Sequence, residues 1–136
     1  MYHAVKSDFE KVKEIFYLHK KWFPHVRTDY MKRMIAKKNL ILENDVVITY
    51  NFYKRKQKIG DIQAFKGDCI LHQIVAKTKG TASDVLQRFF KFVNHNPLGK
   101  RVYLSVRSDN EMAKNFYLKN NMKLIGKTSW SKGTLP

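Results

Sequence analysis

The stretch RVYLSVRSDNEMAKNFYLKNNMKLIG, residues 101–126, decides the fold. Val102, Leu104 and Val106 alternate with Tyr103, Ser105 and Arg107, the period-2 pattern of a half-buried strand. Ser108 and Glu111 then stand in capping-box spacing, where the Ser hydroxyl satisfies one orphan N–H and the Glu carboxylate reaches back to the cap. This predicts a helix from near Asp109, with Asn110 in its first turn and Ala113, Phe116, Tyr117 and Asn120 following at helical spacing. Asn121 suits the left-handed residue that stops a helix, and 122–126 read as the next strand. A Phe-Tyr pair at this spacing equally suits the core side of any amphipathic helix.

Upstream, residues 2–6 read as a short strand and Ser7 or Asp8 as the cap of a helix running to about Lys20. A second helix opens at Thr28 or Asp29 and carries Tyr30, Met31, Met34 and Ile35 on one face. Residues 40–43 and 46–53 form a hairpin around the Asn44-Asp45 turn. The polar segment 57–68 reads as a loop holding at most a short strand at 62–65. Residues 69–76 are apolar enough for a central strand. Ala82, Val85, Leu86, Phe89, Phe90 and Val93 mark a helix closed before Pro97. The result is a single α/β (α+β) domain over 1–136, a mixed, mostly antiparallel sheet flanked by about four helices. After residue 126 there is room for a final strand that is short or missing.

Composition narrows the classes. With 43% hydrophobic and 13% aromatic residues the chain can bury a core. Its one cysteine, Cys69, cannot close an internal disulfide, which fits a reducing, cytoplasmic setting. Neither a leader nor a membrane-spanning apolar run is expected. The histidines at 3, 19, 25, 72 and 95 lack metal-ligand spacing, and no nucleophile elbow is present. The 27 basic against 11 acidic residues give +16, a balance that attracts polyanions, nucleic acid first among them, or that merely solubilises. Lysine outnumbers arginine, so contacts to a nucleic-acid backbone are expected over base reading.

The spacing N-x-x-A-x-x-F-Y-x-K at 110–119 resembles that of the GCN5-related N-acetyltransferases, and the order of elements is similar throughout. The resemblance implies acetyl-coenzyme A as cosubstrate, Asn110 beside its pantetheine arm and Tyr117 as proton donor to the departing thiolate. Where the family has Gly-Phe after the helix, this chain has Asn121-Met122. Residues 77–82, KTKGTA, are similar to the family's pyrophosphate loop, with Lys in the first place, then Gly80 and Ala82. Small residues at a helix N-terminus let backbone N–H groups approach phosphates, and Lys77 and Lys79 add countercharge. By the same resemblance Ile74, Val75, Ala76, Thr81 and Tyr117 join the cofactor contacts, a backbone N–H near Val75 or Ala76 polarising the acetyl carbonyl. The loop follows Val75 more closely than in the family.

No carboxylate lies in 69–76 or 101–107 to act as base. His72 is the substitute, since imidazole titrates near neutrality, and alternation places it opposite a face shared by Leu71 and Gln73. A partly buried structural histidine is the commoner reading there, Asp68 and Ser105 are weaker choices, and catalysis without a dedicated base is a further alternative. The functional expectation is an N-acetyltransferase that transfers directly to an amine on an anionic or nucleic-acid-linked acceptor, with a homodimer allowed. The alternative is a basic nucleic-acid-binding or base-modifying protein of the same fold without conventional transfer. The tail GKTSWSKGTLP, 126–136, resembles phage members that modify DNA bases.

Overall fold

The computed structural model describes all residues except Trp22, His25, 96–100, Lys127, 131–132 and Pro136, and describes the backbone alone at 128–130 and 133–135. In place of a first strand there is a single bridge from His3 to Ile41, flanked by Ala4 N–H donating to Leu40 O and Leu42 N–H donating to Tyr2 O. The Asp8 carboxylate then gathers the turn Lys6–Asp8, accepting from Val5 N at 2.8 Å and the Tyr2 hydroxyl at 2.7 Å. Helix α1 (Phe9–Tyr17) stops short of the expected Lys20, and α2 spans Thr28–Ala36. Strands β1 (Leu40–Glu43) and β2 (Val46–Phe52) meet at Asn44 and Asp45, φ 48° and 58°. Both lie in the left-handed region, the geometry whose twist matches a two-residue hairpin.

The segment expected to be a loop contains a second hairpin, β3 (Gln57–Ile59) and β4 (Ile62–Ala64), turning at Gly60 (φ 57°) and Asp61. Three-residue strands with exposed Gln57 and Lys58 bury too little to write an alternating pattern into the sequence. Strand β5 (Cys69–Ala76), helix α3 (Ala82–His95), strand β6 (Val102–Tyr103) and helix α4 (Glu111–Lys119) follow. The main sheet runs β1-β2-β5-β6, antiparallel except for the parallel pair β5/β6. Val12, Ile15, Phe16, Met31 and Met34 pack α1 and α2 on one face, against Leu40, Val47 and Val75. Val85, Leu86, Phe89 and Val93 pack α3 on the other, against Ile41, Ile48, Tyr50 and Leu71. With both faces covered, β2 is buried at five successive positions.

The C-terminal third departs from expectation. Strand pairing covers only Val102–Tyr103 of 101–107, and Tyr103, on the side alternation marks as polar, is buried while Val102 and Leu104 are half-buried. Alternation ranks faces poorly where both are covered. Residues 122–126 make no ladder. The strand after α4 is β7 (Thr128–Trp130), paired with β8 (Gly133–Leu135), so a final strand exists and is short. Among the described residues this ribbon bonds to no strand of the main sheet.

Candidate functional site

Strand β5 pairs with β2 at Thr49↔Gln73 and next at Tyr50↔Leu71, so His72 is the extra residue of a β-bulge. A bulge bends its strand, sharpens the twist and reverses the alternation. Leu71 therefore packs toward α3, while Gln73 turns to the α1/α2 side and contacts Tyr30. The shared face expected for Leu71 and Gln73 is split by the bulge between them. On its other edge β5 pairs with β6 only at Cys69↔Val102 and Ile70↔Tyr103. Past the bulge the two parallel strands share no ladder. On the β6 side, residues 71–76 thus present a strand edge without ladder partners among the described residues.

At the far end of that edge the Ala76 carbonyl accepts from His19 Nε2 at 2.8 Å. His19, just past α1, is a site neighbour that sequence reasoning missed. The chain then turns through 77–81 into α3. Gly80 has φ +93°, a backbone few side chains adopt, and no heavy atom lies within 4 Å of where its Cβ would stand. Thr81 Oγ1 donates to Thr78 O at 2.9 Å and Lys77 N–H to Asp45 O at 2.9 Å, fixing the turn. Lys77 Nζ is 3.0 Å from Glu14, which raises the lysine pKa, whereas Lys79 projects into solvent.

On α4 the cap is Asn110 itself. Its Oδ1 accepts from Ala113 N at 3.1 Å, and the helix starts at Glu111, so the Ser108 capping box does not form. Asn and Ser compete for this role on nearly equal terms, which sequence alone cannot resolve. Tyr117 lies about two turns further on. Its ring meets Phe116 edge-on at 5.4 Å, and burial raises its phenol pKa above the ordinary 10. Asn120, 6% exposed, closes the helix and ties it to α3. Its Nδ2 donates to Ser83 Oγ at 3.2 Å and to Phe116 O at 2.9 Å, and its Oδ1 accepts from Gln87 Nε2 at 3.1 Å. Asn121, φ 70°, is the left-handed stop.

Ile74, Ala76, Ala82 and Tyr117 all border the same apolar cluster beneath α3, together with Val102 and Leu104. Val75 faces the opposite core, and Asn110 sits at the far end of α4 with its oxygen engaged in capping. A groove of about 190 Å³ opens beside Tyr117, lined by β6, α4, residues 122–126 and the tip of the β3/β4 hairpin. The 77–82 loop does not line it. Ser105 lies in its wall.

His72 Nε2 accepts from Asn51 Nδ2 at 2.9 Å, and Asn51 Oδ1 accepts in turn from Asn39 Nδ2 at 2.6 Å. A ring nitrogen that accepts is unprotonated, so this chain holds the imidazole neutral, and desolvation lowers its pKa below the usual 6.5. The residue keeps an exposed edge. Nearby, the Tyr30 hydroxyl donates to Gln73 Oε1 at 3.0 Å, and Thr49 Oγ1 donates to the same oxygen. Asp68 is a carboxylate of another kind. It is 1% exposed, with Oδ2 taken by Phe65 N at 2.9 Å and Oδ1 by Arg101 N at 3.2 Å.

The arrangement is a GCN5-related N-acetyltransferase fold. It is similar to a point mutant of the BH1408 protein from Bacillus halodurans, with a TM-score of 0.70 at 12% identity over 95% of this chain and 96% of that one. It is also similar to the acetyltransferase of the GNAT family from Streptococcus pneumoniae, with a TM-score of 0.63 at 14% identity over 98% and 95%. A third similar structure is that of a probable acetyltransferase, with a TM-score of 0.62 at 14% identity over 90% and 89%. No protein-family model and no curated protein matches the sequence. Among the described residues no helix is long and apolar enough to cross a membrane.

Proposed function

We propose that this protein is an acetyl-coenzyme A-dependent N-acetyltransferase acting directly on an amine of an anionic or nucleic-acid-linked acceptor, in a reducing, cytoplasmic compartment. The observation that carries the reading is the half-open β5/β6 pair, with the Gly80 turn at the end of its free edge. The residues present fit the cofactor. An unpaired strand edge supplies hydrogen-bonding groups for an amide-bearing arm, and the open space around Gly80 admits a phosphate to the start of α3. Ile74, Val75 and Ala76 would hold the arm, and Lys79, Gly80, Thr81 and Ala82 the phosphates. Lys77 would join them on leaving Glu14, and Asn110 would contribute through its free amide nitrogen.

Acetyl-coenzyme A supplies the acetyl group as a thioester. A backbone N–H at Val75 or Ala76 would polarise the thioester carbonyl, so that attack by the amine nitrogen would form the C–N bond as the C–S bond breaks. His72 takes the amine proton at Nε2 once the Asn51 amide that donates to that nitrogen has moved aside. Tyr117, a phenol that carries its proton at neutral pH, hands that proton to the departing sulfur.

Saturating acetyl-coenzyme A is expected to raise Tm by about 5–10 °C, from about 2.7 kcal/mol at a hundredfold excess over Kd. Gly80→Val should abolish most of that rise. No rise in the unaltered protein overturns the cofactor reading, and a full rise in the variant removes the loop from the site. With His72 as base, kcat/KM climbs with pH as the ring deprotonates, and the midpoint falls below 6.5 because the folded pKa is lowered. A profile unmoved in His72→Gln dismisses it. A second reading, a binding module that keeps the fold without the reaction, is favoured by the lack of any carboxylate on β5 or β6. Stabilisation by acetyl-coenzyme A without transfer of label to any amine would select it.

A further inference from the structure

Between β2 and β5 the chain leaves the main sheet and runs out as an arm over residues 53–68. At its root Tyr53 N–H donates to Asp68 O at 2.8 Å and Gly67 N–H to Tyr53 O at 2.9 Å, and the β3/β4 hairpin forms its tip. Lys54, Arg55, Lys56, Lys58 and Lys66 are all exposed along it. The acids of the arm offset them little: Asp61 lies at the turn, and Asp68 is buried with both oxygens taken by backbone N–H groups. None of the five cations makes an ion pair, hydrogen bond or ring contact among the described residues. Elsewhere some cations are matched locally: Lys11 by Asp45, Lys77 by Glu14, Arg88 by Glu43 and Lys114 by Glu111.

A solubilising face needs no aromatic ring, yet Phe65 stands 50% exposed beside Lys66. Its backbone N–H is pinned by Asp68, so the ring is held at the root of the arm. Cations that follow a phosphate backbone, interleaved with a ring on which a base can stack, are what single-stranded nucleic acid requires. In a duplex the bases are already stacked and leave such a ring unused. Four of the five cations are lysines, which suits contact with phosphates over reading of base edges.

We propose that the arm 53–68 is a docking surface for single-stranded nucleic acid, with the five cations along the phosphodiester backbone and Phe65 stacked on a base. This deepens the acceptor side of the function proposed above. Its test uses no acetyl-coenzyme A, so failure of either reading leaves the other standing. The probe is a fluorescent oligothymidine of about 12 nucleotides, followed by anisotropy from about 50 to 200 mM salt. Five phosphate contacts give a slope of log K against log salt of about −3.5. Replacing Lys54, Lys56 and Lys58 together by Gln should make the slope shallower by about 2. Replacing Lys37, Lys91 and Lys119 by Gln changes net charge equally and should leave the slope in place. Phe65→Ala should weaken binding by about 5- to 100-fold with the slope unchanged. The proposal is overturned if both lysine sets act equally, if Phe65→Ala has no effect, or if unlabelled duplex competes as well as single strand.

Discussion

Tyr117→Phe should lower kcat by about 100-fold or more while the Kd for acetyl-coenzyme A stays within about twofold. The substitution removes one oxygen and keeps the ring that packs on Phe116 and on the apolar cluster beneath α3. Among the described residues the Tyr117 hydroxyl has no hydrogen-bond partner, so its loss breaks no internal contact and stability should change by about 0.5 kcal/mol or less. A large loss of turnover in a fully folded variant then isolates the proton at Oη. Thiol release measured at saturating donor, beside a thermal melt, separates the two effects. Turnover equal to the unaltered protein removes Tyr117 as the acid.

Asp68→Ala should cost about 3 kcal/mol and lower Tm by about 10 °C. The carboxylate joins two distant points of the chain, Phe65 in the arm and Arg101 at the entry to β6, by accepting from both backbone N–H groups. Alanine leaves two donors without partners in a site that is 1% exposed, and each such group carries its full desolvation cost. Asp68→Asn should lose about half as much, since the amide keeps one acceptor but sets a donor against the other N–H. Chemical denaturation checks both. A change under about 0.5 kcal/mol in the alanine variant would show that the carboxylate does not fasten these segments.

Local chemistry made parts of this fold legible. Asn44-Asp45 announces its hairpin because few other residues tolerate two successive left-handed conformations. Val85, Leu86, Phe89 and Val93 announce α3 because one face alone is buried. The bulge at His72 is invisible, since it arises from how β5 fits β2, a register between residues as far apart as Val46 and Ala76 that local patterning does not contain. Ser108 and Asn110 each offer a capping oxygen, and the choice between them depends on where α4 docks. That docking is set by Asn120 reaching Ser83 and Gln87, a tertiary contact. The segment 122–126 carries apolar residues enough for a strand, but Leu124 and Ile125 stay exposed and line the groove without joining a ladder. Of the candidate site, the residue types of the 77–82 turn and of α4 could be read, whereas the engagement of Lys77 with Glu14 and of His19 with Ala76 could not.

The brevity of the β5/β6 ladder has a mechanical consequence. Strands β1, β2 and β5 form a meander of near-neighbour contacts, closed on both faces by helices. Residues 101–120 are fastened to it by two ladder pairs, the Asp68 carboxylate, the grip of Asn120 and a margin of apolar packing. Cohesion is thus low along this seam, whose free edge is the one proposed above for the cofactor. A ligand seated there, as proposed, would replace the missing rungs of the ladder and act as a clasp across the seam.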